Sequence, residues 1–152
     1  LLDNIESLKD KLIISLQAHE GLRASEICNL CAEDIDLDSN IMAVLGKGKY
    51  KKIKIRLFNT SKQLLGNIIF EKKEGYLFEG LTYHQVYHIV KKYLPDYSPH
   101  CLRHTAAQIM TEKNFNKDFI QKQMRHSNYQ TTQIYTLRKI EETFLKEMPL
   151  EV

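Results

Sequence analysis

The sequence predicts a mainly α-helical domain with one small antiparallel β-sheet, an α+β architecture in which helices dominate. Three observations carry that expectation. Ile5, Leu8, Leu12 and Leu16 recur at the spacing of a single helix face. Ile53, Ile55 and Leu57 alternate with Lys52, Lys54 and Arg56, the period of a strand with one buried side. Ser98 followed by Pro99 reads as a helix start, a good N-cap before a residue suited to the first helical position.

Taken in order, the first amphipathic helix is expected over residues 3–19 and ends at Gly21. A second helix is expected over 24–30. Residues 31–40 are acidic and turn-rich. Residues 41–45 are apolar enough for a short strand, and Gly46-Lys47-Gly48-Lys49 is a turn that joins it to the Lys52–Leu57 strand as a β-hairpin. A helical pattern around Leu64, Leu65, Ile68 and Ile69 covers 61–72, and Tyr76-Leu77-Phe78 reads as a third short strand. Val86, Ile89, Val90 and Tyr93 form one stripe of a helix over 82–94, which Pro95 stops. The Ser98-capped helix is expected to reach about residue 113, and another to cover 117–125. A short helix would carry Tyr135, and 140–147 is a last amphipathic segment.

The 152 residues suit one domain with a real core. Hydrophobic residues make up 43% and charged residues 27%, the balance of a globular protein rather than a disordered one. The formal charge of +3 is too mild to imply a nucleic-acid partner, so local clustering must carry that argument. Three cysteines, an odd number, suggest a reducing, cytoplasmic setting. No apolar run approaches the roughly 18 residues that a membrane helix needs. Leu1 stands where a start methionine would, so the chain is expected to be part of a longer protein.

The chemistry gathers at Pro99-His100-Cys101-Leu102-Arg103-His104-Thr105. His100 and Arg103 are three apart and share one face of the expected helix. They lie near its N-terminus, where free N–H groups and the positive end of the dipole favour an anion. Arg125-His126-Ser127 and Thr131-Thr132-Gln133-Ile134-Tyr135-Thr136 follow, and Gly21-Leu22-Arg23-Ala24-Ser25-Glu26 precedes. Two arginines, two histidines and a tyrosine suit a site that handles a phosphodiester. Singly each has a bland reading: Arg23 as a helix-terminal arginine, His100 and His126 as structural histidines, Tyr135 as a half-buried core residue.

Three metal-like patterns fail. Cys28-x-x-Cys31 has no second pair at a usable distance. His84 and His88, four apart on a helix, have no third ligand. His100 and His104 share that spacing, but both fit a different pattern.

That pattern resembles the catalytic domain of the tyrosine recombinases, the phage-integrase and Cre-like family. Gly21-Leu22-Arg23-Ala24-Ser25-Glu26-Ile27 with Leu30 is similar to the box around the family's first arginine. His100-Cys101-Leu102-Arg103-His104-Thr105 is similar to its His-x-x-Arg box, and His126-Ser127 with Thr131–Thr136 to its nucleophile box. The boxes stand in the family's order from about residue 20 to 136. Arg125 departs from the pattern, standing where the family usually has glycine, and the interval from the first box to Tyr135 is short.

The resemblance implies a site-specific DNA recombinase that cuts and rejoins strands through a covalent 3′-phosphotyrosine, for integration or excision of a mobile element. Arg23 and Arg103 would clamp the non-bridging oxygens with paired hydrogen bonds, which lysine cannot make. His100 and His126 would donate hydrogen bonds or pass protons, and Tyr135 would attack phosphorus. Lys47 matches the family's hairpin lysine that protonates the leaving 5′-oxygen, with Lys49 its close competitor. Glu26 matches an acidic position and would orient a site side chain. Lys49, Lys52, Lys54, Arg56 and Arg125 would contact DNA phosphates, with a solvated strand face as the bland alternative.

No metal, nucleotide or other cofactor is expected. The implied partners are double-stranded DNA bearing recombination sites and further copies of the chain, as a tetramer on DNA in the nucleoid, with no membrane. An N-terminal core-binding domain is expected outside residues 1–152, and the 137–152 tail would dock on a neighbouring protomer. A chromosome-dimer-resolving recombinase, a type IB topoisomerase and a catalytically silent DNA-binding module are the alternatives.

Overall fold

The computed structural model describes residues 2–46 and 50–125. Lys47, Lys49, His126, Tyr135, the expected helices beyond residue 126 and the 137–152 tail lie outside the described residues. The described chain is mainly helical with one small antiparallel sheet, as the sequence predicts.

A 3-10 turn, Leu2–Asn4, precedes helix α1, Leu8–Ser15. The first helix thus starts five residues later than the apolar spacing predicts. The cause is Ser7, whose hydroxyl oxygen accepts the Asp10 N–H at 3.2 Å and caps the helix there. Ile5 is nevertheless buried, packed with Ile14, Ala18 and Leu102. Beyond Ser15 the helix widens into a π-helical turn, Leu16–Glu20, all of it buried. Gly21 closes that turn at φ 74°. A Cβ there would adopt a strained left-handed backbone and sit 2.5 Å from the Met124 sulfur, so glycine is required twice over.

Helix α2, Ala24–Cys28, is shorter than expected and begins with Arg23 at its N-cap. The sheet has the order β1-β2-β3, with β1 at Ile35–Asp36, β2 at Ile41–Val44 and β3 at Ile53–Arg56. Met42 pairs with Ile35 on one side and Ile55 on the other. The third strand is therefore β1, from the stretch expected to be only turns. Tyr76, expected to start a strand, makes just an isolated bridge to Cys31. Pairing partners, not local composition, decide between the two.

Helix α3 spans Asn59–Glu71 and α4 spans Tyr83–Tyr93. Thr82 and Gln85 cap α4 reciprocally, the hydroxyl taking the Gln85 N–H at 3.2 Å and the amide oxygen the Thr82 N–H at 3.0 Å. Helix α5, Pro99–Glu112, is capped by Ser98 as predicted, with Pro99 at its start. Every residue from Leu102 to Met110 is buried. A helix covered on all sides is the centre of its domain, and α5 lies along the π turn. Helix α6, Lys117–Met124, ends at Arg125 in the left-handed region.

Among the described residues, apolar side chains form three clusters. One joins α1, α2, the sheet, Leu65 and Val86, a second joins α1, α4 and Leu102, and a third packs Phe58 against α5 and α6. The π turn contributes Leu16 to the first and Ala18 to the second.

Candidate active site

The carbonyl of Gly21, which opens the first arginine box, is where distant stretches of the chain meet. Arg103 Nη1 donates to it at 2.6 Å while Nη2 donates to the Met124 carbonyl at 2.6 Å. A guanidinium can bridge two carbonyls because its donors diverge in a fixed plane. Arg103 is only 3% exposed, so its position is set by packing as well as by these bonds. Arg125 Nη2 reaches the same Gly21 oxygen at 2.7 Å.

Arg23 stands two residues further, extended at the N-cap of α2, with its side chain 45% exposed. Glu26 folds back on it: Oε1 accepts the Arg23 backbone N–H at 2.7 Å, and Oε2 lies 3.6 Å from Arg23 Nη1. The Glu26 carboxylate is itself buried. Its main partner is Arg125, whose Nε and Nη2 donate to Oε2 and Oε1 at 2.6 and 2.7 Å. Arg125 also donates through Nη1 to the Gln123 carbonyl. Burial pushes the Arg125 guanidinium down from its usual range, Glu26 beside it pushes it back up, and nearby Arg23 lowers it.

Arg125, expected at a DNA phosphate, instead faces inward. Its side chain is 3% exposed and its donors are taken by Glu26, Gly21 and Gln123. The reason is the left-handed backbone at φ 57°, which turns the side chain back under α2.

His100 lies in the first turn of α5, exposed, its ring edge-on to buried His104 with centroids 4.1 Å apart. The structure thus joins Arg103 to Arg125 through the Gly21 carbonyl and Arg125 to Arg23 through Glu26, with His100 one turn ahead of Arg103 on the same helix. The basic strand forms a separate group on β3. Lys52 and Lys54 are exposed and Arg56 is half-buried. Lys52 Nζ pairs with Asp34 at 2.6 Å, and that carboxylate raises the ammonium's pKa. The alternation is imperfect, since Ile55 and Leu57 are buried while Ile53 is 46% exposed.

Two positions went unremarked in the sequence. Gln123 uses its side-chain amide as a strand would use its backbone. Its oxygen accepts the Arg56 N–H at 2.8 Å, and its nitrogen donates to the carbonyls of Arg56 at 2.9 Å and Glu20 at 3.2 Å. This ties α6 to β3 and to the residue before Gly21. Glu20 is fully buried, accepting the Phe58 N–H at 2.8 Å and the Ser61 hydroxyl at 2.7 Å. Ser61 lies 2.7 Å from the Ser15 hydroxyl, which lies 2.9 Å from His19 Nδ1. A carboxylate set among Leu16, Ala18 and Leu22 was the available signal for it.

Among the described residues no group of three or more His, Cys, Asp or Glu side chains converges on a metal-sized site, and no helix is long and apolar enough to cross a membrane.

The chain is similar to known proteins along nearly its whole length. The chain is 34% identical to the tyrosine recombinase XerA of Saccharolobus solfataricus, over 97% of this chain and 53% of that protein. It is 32% identical to the tyrosine recombinase XerC of Thermodesulfovibrio yellowstonii, over 97% of this chain and 57% of that one. The chain therefore spans about half the length of the curated relatives it matches. Among solved structures, a XerA recombinase superposes with a TM-score of 0.77 at 25% identity, covering 94% of this chain and 59% of that one. The XerH recombinase bound to its difH substrate superposes at 0.69 and 25%, covering 95% and 48%. A mycobacteriophage Brujita integrase shares the fold at 0.74, with 22% identity, covering 97% and 59%. With its family model matching residues 1–142, this chain belongs to the phage integrase family.

Proposed function

We propose that the chain is the catalytic part of a site-specific DNA recombinase that cuts and rejoins strands through a covalent 3′-phosphotyrosine. The observation that carries this reading is that arginines from distant stretches join one hydrogen-bonded network. Arg103 is locked by two carbonyls, one of them Gly21, two residues ahead of Arg23, whose side chain is 45% exposed. A pair of arginines held this way answers the charge that grows on the non-bridging oxygens of a phosphodiester in its transition state.

In this reading the Tyr135 oxygen attacks phosphorus, a P–O bond to tyrosine forms, and the bond to the 5′-oxygen breaks. Lys47 gives that oxygen its proton. His100 and His126 hydrogen-bond the phosphate or carry protons. A 5′-hydroxyl from the partner strand then attacks the phosphotyrosine and releases Tyr135. The bond energy is conserved, so no nucleotide enters the balance. Lys49, Lys54 and Arg56 contact DNA phosphates, four protomers assemble on paired sites, and the 137–152 tail docks on a neighbour.

Integration or excision of a mobile element is the setting we assign. A Xer-type recombinase that resolves chromosome dimers is the second reading, favoured by the XerA and XerC names of the curated relatives.

The test mixes the full chain with nicked suicide duplexes drawn from DNA flanking its gene and scores the covalent protein–DNA band. Tyr135→Phe should abolish the band. Arg103→Lys, which retains the charge and loses the fork, should lower its rate by about a hundredfold or more. A band that survives in Tyr135→Phe overturns the choice of nucleophile. DNA binding without any band favours the silent module, and supercoil relaxation without strand exchange favours the topoisomerase.

A further inference from the structure

Arg125 carries an unusual combination of features that the proposed reaction does not use. Its backbone sits in the left-handed region, at φ 57°, which is strained for a residue other than glycine. Its side chain is buried, and its donors meet both oxygens of Glu26 and the carbonyls of Gly21 and Gln123. The fork engages both oxygens of Glu26. Oε1 already takes the Arg23 N–H, and Oε2 takes Arg125 Nε. Arg23 Nη1 is left at 3.6 Å, an ion-pair distance beyond a good hydrogen bond, with its side chain 45% exposed.

A buried carboxylate without a partner is costly and draws in whatever cation is within reach. Without Arg125, Arg23 is the cation recorded beside Glu26. We propose that Arg125 is a positioning residue: by holding Glu26 it keeps the Arg23 guanidinium turned out and available to a phosphate. This inference rests on the proposed role of Arg23 as a phosphate ligand. It also accounts for a buried arginine at a left-handed helix end, since only a planar guanidinium can fork onto both oxygens of a carboxylate and still reach two carbonyls.

The probe is inorganic phosphate, titrated into the full chain at low salt and followed by NMR, with circular dichroism to confirm folding. Arg23→Gln and Arg125→Gln should each weaken phosphate binding by about tenfold, the worth of a charged hydrogen bond. The decisive measurement is the combination. In the Arg125→Gln background, Arg23→Gln should cost nothing further, because Glu26 has already captured that arginine. In Glu26→Gln/Arg125→Gln, which has the wild-type net charge, affinity should return to within about twofold, and Arg23→Gln should again cost about tenfold. Equal cost of Arg23→Gln in the wild-type and Arg125→Gln backgrounds overturns the proposal, since a merely structural Arg125 predicts that result. Should Arg125→Gln not fold, the neutral Glu26→Gln/Arg125→Gln pair decides alone, and a tenfold loss there overturns it. Wild-type protein that neither binds phosphate nor forms a covalent DNA band overturns the recombinase reading and this inference with it. Phosphate binding with an additive cycle overturns the inference only.

Discussion

Glu20 has no solvent around it, and burial pushes its carboxyl up to about 8, against the Phe58 and Ser61 hydrogen bonds that lower it. The proton therefore stays on in the folded state near neutral pH, while an unfolded chain would release it near the ordinary carboxylate value of about 4.3. The folded state binds more protons between those two values, so stability falls as pH rises through that window and levels off above about 8. The slope from one such group approaches about 1.4 kcal/mol per pH unit. Glu20→Gln mimics the protonated acid, with an oxygen for Phe58 N–H and a donor for Ser61. Urea midpoints measured from pH 5 to 9 should decline less steeply in Glu20→Gln than in wild type. Parallel profiles would mean that Glu20 is ionised in the folded protein. The apolar Leu16, Ala18 and Leu22 around Glu20 are the one hint of its burial in the sequence, and only the return of α3 places Ser61 against it.

Among the elements, those fixed by local chemistry were legible and those fixed by distant partners were not. The α5 start is written in Ser98-Pro99, and the β2–β3 hairpin in its alternation. The start of α1 was missed because Ile5 continues the apolar spacing while Ser7 caps two residues later. Strand β1 was missed because two residues have no period, and its existence depends on Met42. The arginine boxes were legible as residues, but the inward turn of Arg125 depends on a backbone angle that sequence spacing does not encode.

Gln123 belongs to the same class: it makes α6 act as a further partner of β3 through one amide group. Gln123→Ala removes hydrogen bonds to Arg56 N–H, Arg56 carbonyl and Glu20 carbonyl together. It should destabilise the fold by about 1–3 kcal/mol, read as a lowered urea midpoint with an unchanged slope. A midpoint within error of wild type would mean that water replaces the amide and that the packing of Ile120 and Met124 and the Arg103 bond to the Met124 carbonyl suffice to hold α6.

At the scale of the molecule, the formal charge of +3 is too small to hold DNA by net attraction, so where the cations sit matters more than how many there are. Arg125 is buried against Glu26 and the Gly21 and Gln123 carbonyls, so it adds nothing to the charge that a duplex meets. Just ahead of β3, Lys52 is already answered by Asp34 at 2.6 Å, whereas Lys54 within the strand is exposed. Two lysines two residues apart on one strand face should therefore differ in their contribution to DNA binding. If the face lies on DNA, Lys54→Ala removes about one phosphate contact and lowers the slope of log affinity against log salt by about 1. Lys52→Ala should leave that slope near the wild-type value, because its ammonium meets a carboxylate rather than a phosphate. Fluorescence anisotropy of a labelled duplex across a salt series measures both. Equal losses of slope would mean that DNA pulls Lys52 away from Asp34. No loss in either variant would remove β3 from the DNA surface and leave its charge as a solvated strand face.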